Sequence, residues 1–538
     1  MTDIEISRNC KKEDIRDIAK KINITEEELI LYGNDKAKIN MKPKKRKGKL
    51  VLVTATNPTP YGEGKTTVSI GLGDALKRLN KNVVLALREP SMGPVFGMKG
   101  GATGGGYSQI VPMEDINLAF TGDMSAIESA NNLLCAAIDN HIYFGNELEI
   151  EKVTFERCVD VNDRALRKVT TDFGKTCFTI TAASEIMALL CLAKDIEDLK
   201  EKIGNIIIGY NKNNNPVYAK ELKVEGAMTV LLKDAIKPNL VQTLENTPAI
   251  VHGGPFANIA HGCNSLIATN TALSVADYVI TEAGFGSDLG AEKFFDIKCR
   301  KGNIKPDCVV LVTTIKSLKY NAGVEKEDIL LENVEKVKEG LPNLLVHIEN
   351  IQKFSKNIVV ALNKYSTDSV EEINVIKELC EKKNIPFEIS TAYIDGGEGA
   401  VNLAEKVLEV LKNENDFQFI YEDNDDIKTK IEKVSTEVYR ANKVEYTEEV
   451  LEKIDNLEQK NLSNLPICVA KTQYSLSEDS KKLGAGYEHT IHVRDIKVYS
   501  GAGFIVIYLG SIITMPALSK NPNYLNIDFV DNNIIGLS

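Results

Sequence analysis

The chain is 538 residues long, more than a single typical domain holds, and this length predicts several domains with substantial cores. Apolar residues make up 43% and charged residues 26%, a balance typical of a folded globular protein and not of a disordered one. The net charge of -11 argues against nucleic acid as a partner, because a polyanion is normally bound by a basic surface.

Cysteine spacing and hydropathy favour a cytoplasmic protein. The 10 cysteines include no CxxC pair, so the sequence predicts neither a zinc site nor a disulfide framework. The amino-terminal segment lacks the apolar stretch of a secretion leader, and no apolar run is long enough to span a membrane. We therefore expect a cytoplasmic location and no membrane partner.

Hydrophobic periodicity predicts alternating strands and helices. Near the amino terminus, Ile15 to Ile22 has helical spacing, and Thr25 with Glu28 forms a capping box that predicts a second helix. Residues 49–56 form a buried type of strand, a glycine-rich turn follows, and residues 66–79 have helical spacing. The same pattern returns in five apolar runs: 83–87, 249–252, 277–281, 309–313 and 358–362. These elements predict an α/β fold with a mostly parallel, doubly wound sheet.

The segment NPTPYGEGKTT, between the first buried strand and its helix, is the strongest functional signal. Backbone NH groups and a helix N-terminus at such a turn can hold phosphate oxygens. Thr59 replaces the first glycine of the common GxxxxGK pattern, but the functional end is kept. We expect Lys65 to reach the terminal phosphates and Thr66 to bind Mg²⁺. The predicted nucleotide-binding residues are Thr59, Pro60, Tyr61, Gly62, Glu63, Gly64, Lys65, Thr66 and Thr67.

Other candidate residues follow the next strand. Arg88 lies where open α/β sheets bind ligands, so it is either an anion clamp or half of an ion pair with Glu89. The glycine-rich segment 97–107 permits close backbone approach to a ligand but also fits a flexible lid. Asp123 is suited to proton transfer or to helix capping. His252 and His261 are more typical of hydrogen-bonded core residues than of metal ligands.

Long motifs across nearly the whole chain resemble one family, the formate–tetrahydrofolate ligases. They include TPYGEGKTT, REPSMGPVFGMKGGATGGGY, VPMEDINLAFTGD, GAMTVLLKDAIKPNLVQTLE, VHGGPFANIAHGCNS and DYVITEAGFGSDLGAEKFFDIKCR, in order and at similar spacing. The resemblance implies that formate attacks the γ-phosphate of ATP to give formyl phosphate, and that a reduced folate then captures the formyl group. The products would be 10-formyltetrahydrofolate, ADP and phosphate.

The resemblance also implies roles, cofactors and assembly. Lys65, Arg88, Glu89 and Asp123 would be catalytic, with Arg88 holding formyl phosphate and the two carboxylates handling protons. Thr66 would hold Mg²⁺, and potassium or ammonium would activate the enzyme. The implied architecture is a P-loop NTPase-like large domain at 1–355 and two smaller α/β domains at 356–456 and 457–538, in a homotetramer.

Departures from the family pattern cluster at the expected folate-ring site. That site would be formed by Tyr365, Tyr393, Gly396 and Gly397, with the two tyrosines standing where the family usually has phenylalanine and tryptophan. Ser125, Lys316 and Asn321 also differ from the usual residues. The alternatives left open are the same chemistry on another folate such as dihydrofolate, a non-catalytic nucleotide-binding homologue, and another enzyme that forms acyl phosphates.

Overall fold

The computed structural model of the chain describes residues 1–97, 101–510 and 512–537. Residues 98–100, part of the glycine-rich segment 97–107, lie outside the described residues. The α-helices are α1 (Asp3–Asn9), α2 (Ile15–Lys21), α3 (Lys65–Arg78), α4 (Met92–Phe96), α5 (Met113–Asn117), α6 (Asp123–Tyr143), α7 (Glu185–Leu192), α8 (Ile196–Gly204), α9 (Glu225–Leu232), α10 (Leu266–Val275), α11 (Arg300–Gly302), α12 (Ile315–Asn321), α13 (Val334–Phe354), α14 (Val370–Lys382), α15 (Ala392–Asp395), α16 (Val401–Val410), α17 (Ile427–Lys433) and α18 (Glu448–Gln459).

The β-strands, in chain order, are β1 (Leu29–Leu31), β2 (Ala37–Ile39), β3 (Lys49–Ala55), β4 (Val83–Leu87), β5 (Gly104–Gly105), β6 (Ser108–Val111), β7 (Ile150–Val153), β8 (Arg157–Val159), β9 (Val169–Thr171), β10 (Gly174–Thr176), β11 (Phe178–Ile180), β12 (Ile207–Asn211), β13 (Pro216–Tyr218), β14 (Asn239–Thr243), β15 (Pro248–Val251), β16 (Tyr278–Glu282), β17 (Cys308–Thr313), β18 (Ile358–Asn363), β19 (Phe387–Ser390), β20 (Lys443–Tyr446), β21 (Ile467–Ala470), β22 (Thr490–Val493), β23 (Asp495–Tyr499), β24 (Phe504–Tyr508), β25 (Asp528–Val530) and β26 (Asn533–Ile535).

A large mixed sheet organises the described chain. Its strand order is β1-β2-β14-β15-β4-β16-β3-β17-β18-β19, with β6 pairing β14 at one side and β5 pairing β6. In this spatial order, the seven strands from β15 through β4, β16, β3, β17 and β18 to β19 run parallel to one another. At the other edge, β1, β2, β14, β5 and β6 form antiparallel pairs. The α/β class and all six predicted strands are therefore confirmed, and the sheet is mixed rather than wholly parallel.

Helices cover both faces of the parallel part. Along β3, Leu50 and Leu52 belong to one buried core while Val51 and Val53 belong to the other, as the two-residue period of a strand requires. Helix α3 packs into the second core, and helices α10 and α13 pack into the first. Strands covered on both faces are apolar throughout, which explains why their runs stand out in the sequence.

The amino-terminal segment differs from the sequence expectation. The predicted capping box exists, since Glu28 Oε2 accepts a hydrogen bond from Thr25 N at 3.0 Å. It starts a single 3₁₀ turn (Glu26–Glu28) and not a second α-helix. The residues that follow form β1, which pairs with β2 and extends the sheet edge. Tertiary strand pairing therefore overrides the local helix signal.

The carboxyl-terminal part has a separate core of residues 421–509, built around β21, β24 and β23. Strand β18 pairs with β17 in the large sheet, so the predicted boundary at 355/356 falls between neighbouring strands. The separate core contains residues on both sides of the predicted boundary at 456/457. The three-domain division stays a prediction. Among the described residues, no helix has both the length and the apolarity needed to cross a membrane.

Candidate active site

The loop between β3 and α3 forms a cradle of backbone groups. Gly62 and Gly64 have φ values of +74° and +73°, a conformation that suits glycine, and Gly64 caps α3. A Cβ on Gly64 would lie 2.2 Å from Asn363 Nδ2, so the close approach of this neighbour also requires glycine. Concave turns of this kind point NH groups at an anion, and the N-terminus of a 14-residue helix adds its dipole.

The buried side chain of Glu63 holds the loop in place through hydrogen bonds. Its Oε1 accepts from Thr59 N at 2.9 Å and its Oε2 accepts from Thr314 Oγ1 at 3.1 Å, while its carbonyl accepts from Asn363 Nδ2 at 3.2 Å. Burial raises the pKa of Glu63. The loop is therefore tied to the ends of β17 and β18.

The other predicted loop residues differ in exposure. Pro60 is exposed, Thr67 is buried in the first turn of α3, and Tyr61 packs its ring edge-on against Tyr320 at 6.2 Å. Tyr61 N donates to Thr59 Oγ1 at 3.3 Å, which tightens the turn. Pro60 and Tyr61 thus lie on the outer side of the cradle.

Lys65 and Thr66 begin α3 and lie beside a buried carboxylate, Glu282. Thr66 Oγ1 donates to Glu282 Oε2 at 2.8 Å. Burial lowers the pKa of Lys65, and the negative charges of Glu282 and Glu63 oppose this shift. A lysine held among partly desolvated groups is a strong site for phosphate oxygens, because their charge replaces the lost hydration.

Arg88 follows β4 and approaches the same carboxylate from the neighbouring strand. Its Nε lies 3.9 Å from Oε1 of Glu282, which ends β16 and is 1% exposed. Within the described chain, both of these buried atoms lack a hydrogen-bond partner. Buried polar groups are normally satisfied, so unpaired donors and acceptors at a strand end indicate a place for a ligand.

Sequence reasoning missed Glu282. The signal was available, because this carboxylate directly follows the predicted strand 277–281, just as Arg88 follows the predicted strand 83–87. The rule that ligands bind at the carboxyl ends of parallel strands applies to both.

Glu89 and Asp123 come together in a buried polar cluster beside this site. Glu89 is 4% exposed, and burial together with the Asp123 carboxylate holds its pKa well above its usual range. Asp123 Oδ1 accepts from Lys38 Nζ at 2.7 Å, and its Oδ2 accepts from Asn239 Nδ2 at 2.8 Å. Asp123 begins α6, but its side chain caps nothing there; the carboxylate is part of this cluster.

His252 and His261, the two histidines considered in the sequence analysis, are both buried. His252 is hydrogen-bonded to Ser265 Oγ and to the carbonyl of Ala235, each at 2.6 Å, as predicted for a core histidine. His261 has no hydrogen-bond partner among the described residues, so the prediction holds for its burial and not for its bonding. Burial lowers the pKa of His252 to about 4 and that of His261 to about 3.

Tyr365 lies next to the phosphate cradle. Lys316 Nζ lies 3.6 Å from the centroid of its ring, a cation–π contact that covers one face. Burial raises the pKa of Tyr365 to about 12, and the charges of Glu63, Asp368 and Tyr393 add to this effect. Two of the residues that differ from the expected pattern, Tyr365 and Lys316, are thus in direct contact.

Tyr393 is 51% exposed and packs on the glycine-rich segment. A Cβ on Gly105 would lie 3.1 Å from the Tyr393 ring, and Tyr107 N donates to the Tyr393 carbonyl at 2.8 Å. Its hydroxyl donates to Asp3 Oδ1 at 3.4 Å. Tyr393 therefore has a half-exposed ring that packs against the backbone of the glycine-rich segment.

Gly396 and Gly397 are buried beneath Tyr393. Gly397 N donates to Glu245 Oε1 at 2.8 Å, and a Cβ on Gly397 would lie 2.7 Å from Asp74 Cβ. Gly396 has a φ of +59°. These glycines let the turn pack tightly on α3, and a direct contact with a folate ring stays a prediction.

The remaining departures lie elsewhere. Ser125 is exposed on the first turn of α6. Asn321 Oδ1 accepts from Gly484 N at 3.0 Å, which joins α12 to the carboxyl-terminal part. Asn321 thus makes a structural contact in addition to any role at the ring site.

Fold and geometry together define an α/β protein with an anion-binding cradle at the carboxyl ends of parallel strands, flanked by an arginine, buried carboxylates and two tyrosines. A family model described as formate–tetrahydrofolate ligase matches residues 1–538. A formate–tetrahydrofolate ligase of Campylobacter concisus (strain 13826) is 55% identical over 548 aligned residues, covering 100% of both chains. The chain belongs to the formate–tetrahydrofolate ligase family. Its small-molecule substrates and its dependence on ATP are those of this family.

Proposed function

We propose that the chain joins formate to tetrahydrofolate in two steps at the cradle described above. A formate oxygen attacks the γ-phosphorus of ATP, which gives formyl phosphate and ADP. The reactive amine of tetrahydrofolate then attacks the formyl carbon, and phosphate leaves. The observation that carries this proposal is the convergence of Thr66, Arg88 and Glu282 at the ends of neighbouring strands.

The phosphate side has the groups that phosphoryl transfer needs. Negative charge grows on the transferred group, so fixed cations and NH donors stabilise the transition state. The residues from Thr59 to Thr67 form the nucleotide cradle in this proposal, and Lys65 holds the terminal phosphates. The positive-φ turn at Gly62 and Gly64, and Lys65 at the start of α3, support these roles.

The oxygen atoms beside the cradle fit Mg²⁺. Thr66 Oγ1 and Glu282 Oε2 are 2.8 Å apart, and hard oxygen ligands of this kind are the ones that Mg²⁺ prefers. We assign Thr66 and Glu282 as the residues that hold the ion. Bound there, the ion would neutralise charge on the phosphates.

Arg88 is proposed to hold formyl phosphate. Its planar guanidinium can bind two phosphate oxygens at once, and its buried Nε is available for this role. Glu89 and Asp123 are proposed to handle the proton that the amine loses, since they form a buried pair beside Arg88.

The folate ring is proposed to bind between Tyr365 and Tyr393, with the turn at Gly396 and Gly397 supporting Tyr393. Both tyrosines can stack on a flat ring. We further propose that potassium or ammonium activates the protein and that it is a cytoplasmic homotetramer. In this proposal each chain has a P-loop-type large domain and two smaller α/β domains.

The test uses purified protein with ATP, formate and either tetrahydrofolate or dihydrofolate, and measures both ADP and the folate product. We expect ADP release that requires formate and tetrahydrofolate together. Preference for dihydrofolate would favour the alternative folate. Turnover with an unrelated amine and with neither folate would contradict the proposal and favour another enzyme that forms acyl phosphates, while no turnover would favour a non-catalytic homologue.

A further inference from the structure

Lys38, on strand β2 between β1 and β14, has its charged end inside the protein. Its side chain is 1% exposed. Its Nζ donates to Asp123 Oδ1 at 2.7 Å, to Asn239 Oδ1 at 3.0 Å and to the carbonyl of Lys237 at 3.0 Å. An ammonium group has three protons, so each one has a partner. A buried lysine is costly unless it is paired, which makes this placement specific.

The same contacts hold Asp123 in one orientation. Its two oxygens are bonded to Lys38 and Asn239, respectively. Asn239 is held in turn by Thr121 Oγ1, which donates to its Oδ1 at 2.7 Å. Both oxygens of Asp123 therefore accept hydrogen bonds from side chains that are themselves fixed.

Glu89 has the opposite environment. It is 4% exposed, and its Oε2 is buried without a hydrogen-bond partner in the part of the chain that the structure describes. Burial and the neighbouring carboxylates of Asp123 and Asp160 raise its pKa, and Lys38 opposes this shift. Two adjacent buried carboxylates cannot both ionise cheaply when they share a single cation.

His252 also faces this cluster but adds no charge. Its Nε2 lies 2.6 Å from the carbonyl of Ala235, and since a carbonyl only accepts, this nitrogen carries the proton. Its Nδ1 then accepts from Ser265. Burial lowers the pKa of His252 to about 4, so the ring is neutral at physiological pH. The net charge of the buried cluster therefore depends on Lys38, Asp123, Glu89 and the nearby Asp160.

We propose that Lys38 is a positioning residue that holds the Asp123 carboxylate in place through a buried ion pair, so that the proton shared by the Glu89–Asp123 pair is carried on Glu89. This inference rests on the proposed function. When the folate amine displaces phosphate from formyl phosphate, the amine loses one proton and the phosphate gains one. Glu89 gives its proton to the departing phosphate and receives the proton of the amine, so the pair ends the step as it began.

The first test compares Lys38→Met with Lys38→Arg through the pH profile of kcat/KM for tetrahydrofolate. Without the cation, the pair binds protons more tightly, so we expect the acidic limb of Lys38→Met to move to higher pH by about one to three units. Lys38→Arg keeps the charge and should retain the wild-type limb at reduced rate. Lys36→Met is a matched control, because Lys36 pairs with Asp115 outside the cluster. A folded, active Lys38→Met with an unmoved limb would overturn the proposal.

The second test locates the proton without relying on Lys38 variants. Infrared spectra at pH 7 should show a protonated carboxyl band that is lost in Glu89→Gln, whereas Asp123→Asn, which removes the neighbouring negative charge and leaves Lys38, should weaken the band without shifting it to another residue. Loss of the band in Asp123→Asn alone would place the proton on the wrong residue and contradict the proposal. If wild-type protein forms no ADP with formate and tetrahydrofolate, the proposed function fails, whereas the infrared result still decides where the proton lies.

Discussion

The candidate site has two parts that are built differently: the phosphate side, which is the cradle 59–67 with Glu282, and the ring side, which contains Tyr365 and Tyr393. On the phosphate side, Glu63 and Glu282 are buried and tie the cradle to three different strands. On the ring side, Tyr393 is 51% exposed and Tyr365 is contacted by a lysine. A change in the cradle breaks several buried hydrogen bonds, whereas a change in an exposed ring mainly alters what binds against it.

This difference explains where the chain departs from its family pattern. The cradle segment 59–67 keeps the motif TPYGEGKTT, whereas Tyr365, Tyr393 and Lys316 on the ring side differ from the residues that the resemblance leads us to expect, as do Ser125 and Asn321 elsewhere. Stacking tolerates exchange of one aromatic residue for another, since each offers a similar ring face. In the proposed function, the phosphate side therefore sets the chemistry and the ring side adjusts the choice of folate.

The largest effect is expected for Lys65→Ala. This change removes the fixed positive charge where negative charge develops, so kcat should fall by about 10²–10³-fold. ADP formation under saturating substrates is the measurement. Lys81→Ala, an exposed lysine just beyond the same helix, is the control and should behave as wild type. Near-normal turnover of a folded Lys65→Ala would remove the basis for the phosphate-cradle assignment.

A smaller loss is expected for Glu282→Gln. The amide keeps the shape but loses the charge of a direct ligand, so apparent Mg²⁺ affinity should fall by at least about 10–100-fold, the range known for residues that only support metal ligands. Activity measured against Mg²⁺ concentration reports this change. Asp277→Asn, at the opposite end of the same strand and 61% exposed at its side chain, is the control. Equal Mg²⁺ dependence in Glu282→Gln and wild type would exclude Glu282 from the metal site.

Arg88→Lys should lower turnover about tenfold, because lysine keeps the charge and loses one charge-assisted hydrogen bond of about 1.5 kcal/mol. ATP affinity should change less than kcat, since the proposed ligand of Arg88 is formyl phosphate. Both quantities come from titration of ATP and from steady-state rates. If the two fall equally, Arg88 binds the nucleotide instead.

The smallest effect is expected for Tyr393→Trp. A change in aromatic stacking is worth about 0.5–1.5 kcal/mol, so the preference for tetrahydrofolate over dihydrofolate should rise by about two- to tenfold. The ratio of the two kcat/KM values is the measurement, and the requirement for ATP should not change. Tyr143→Trp, at a tyrosine 70% exposed on α6, is the control. An unchanged ratio in Tyr393→Trp would show that the ring side does not select the folate.

The sequence predicted the parallel strands and the cradle because both depend on local signals. Apolar runs mark strands that are covered on both faces, and GEGKTT marks a turn before a helix. The buried cluster was not predictable in this way, since Lys38, Glu89, Asp123 and Asn239 lie far apart in the chain and meet only through sheet pairing. The helix expected after Thr25 failed for the same reason, because pairing with β2 decided its structure.

The central claim is that formate is activated as formyl phosphate at the cradle, and transfer of ¹⁸O from labelled formate tests it most directly. Attack by a formate oxygen on the γ-phosphorus makes that oxygen the bridge, and attack by the amine on carbon leaves it on phosphate. We predict that inorganic phosphate released in the presence of tetrahydrofolate carries one ¹⁸O from formate, as read by mass spectrometry. Phosphate that contains no oxygen from formate, while 10-formyltetrahydrofolate accumulates, would contradict the account.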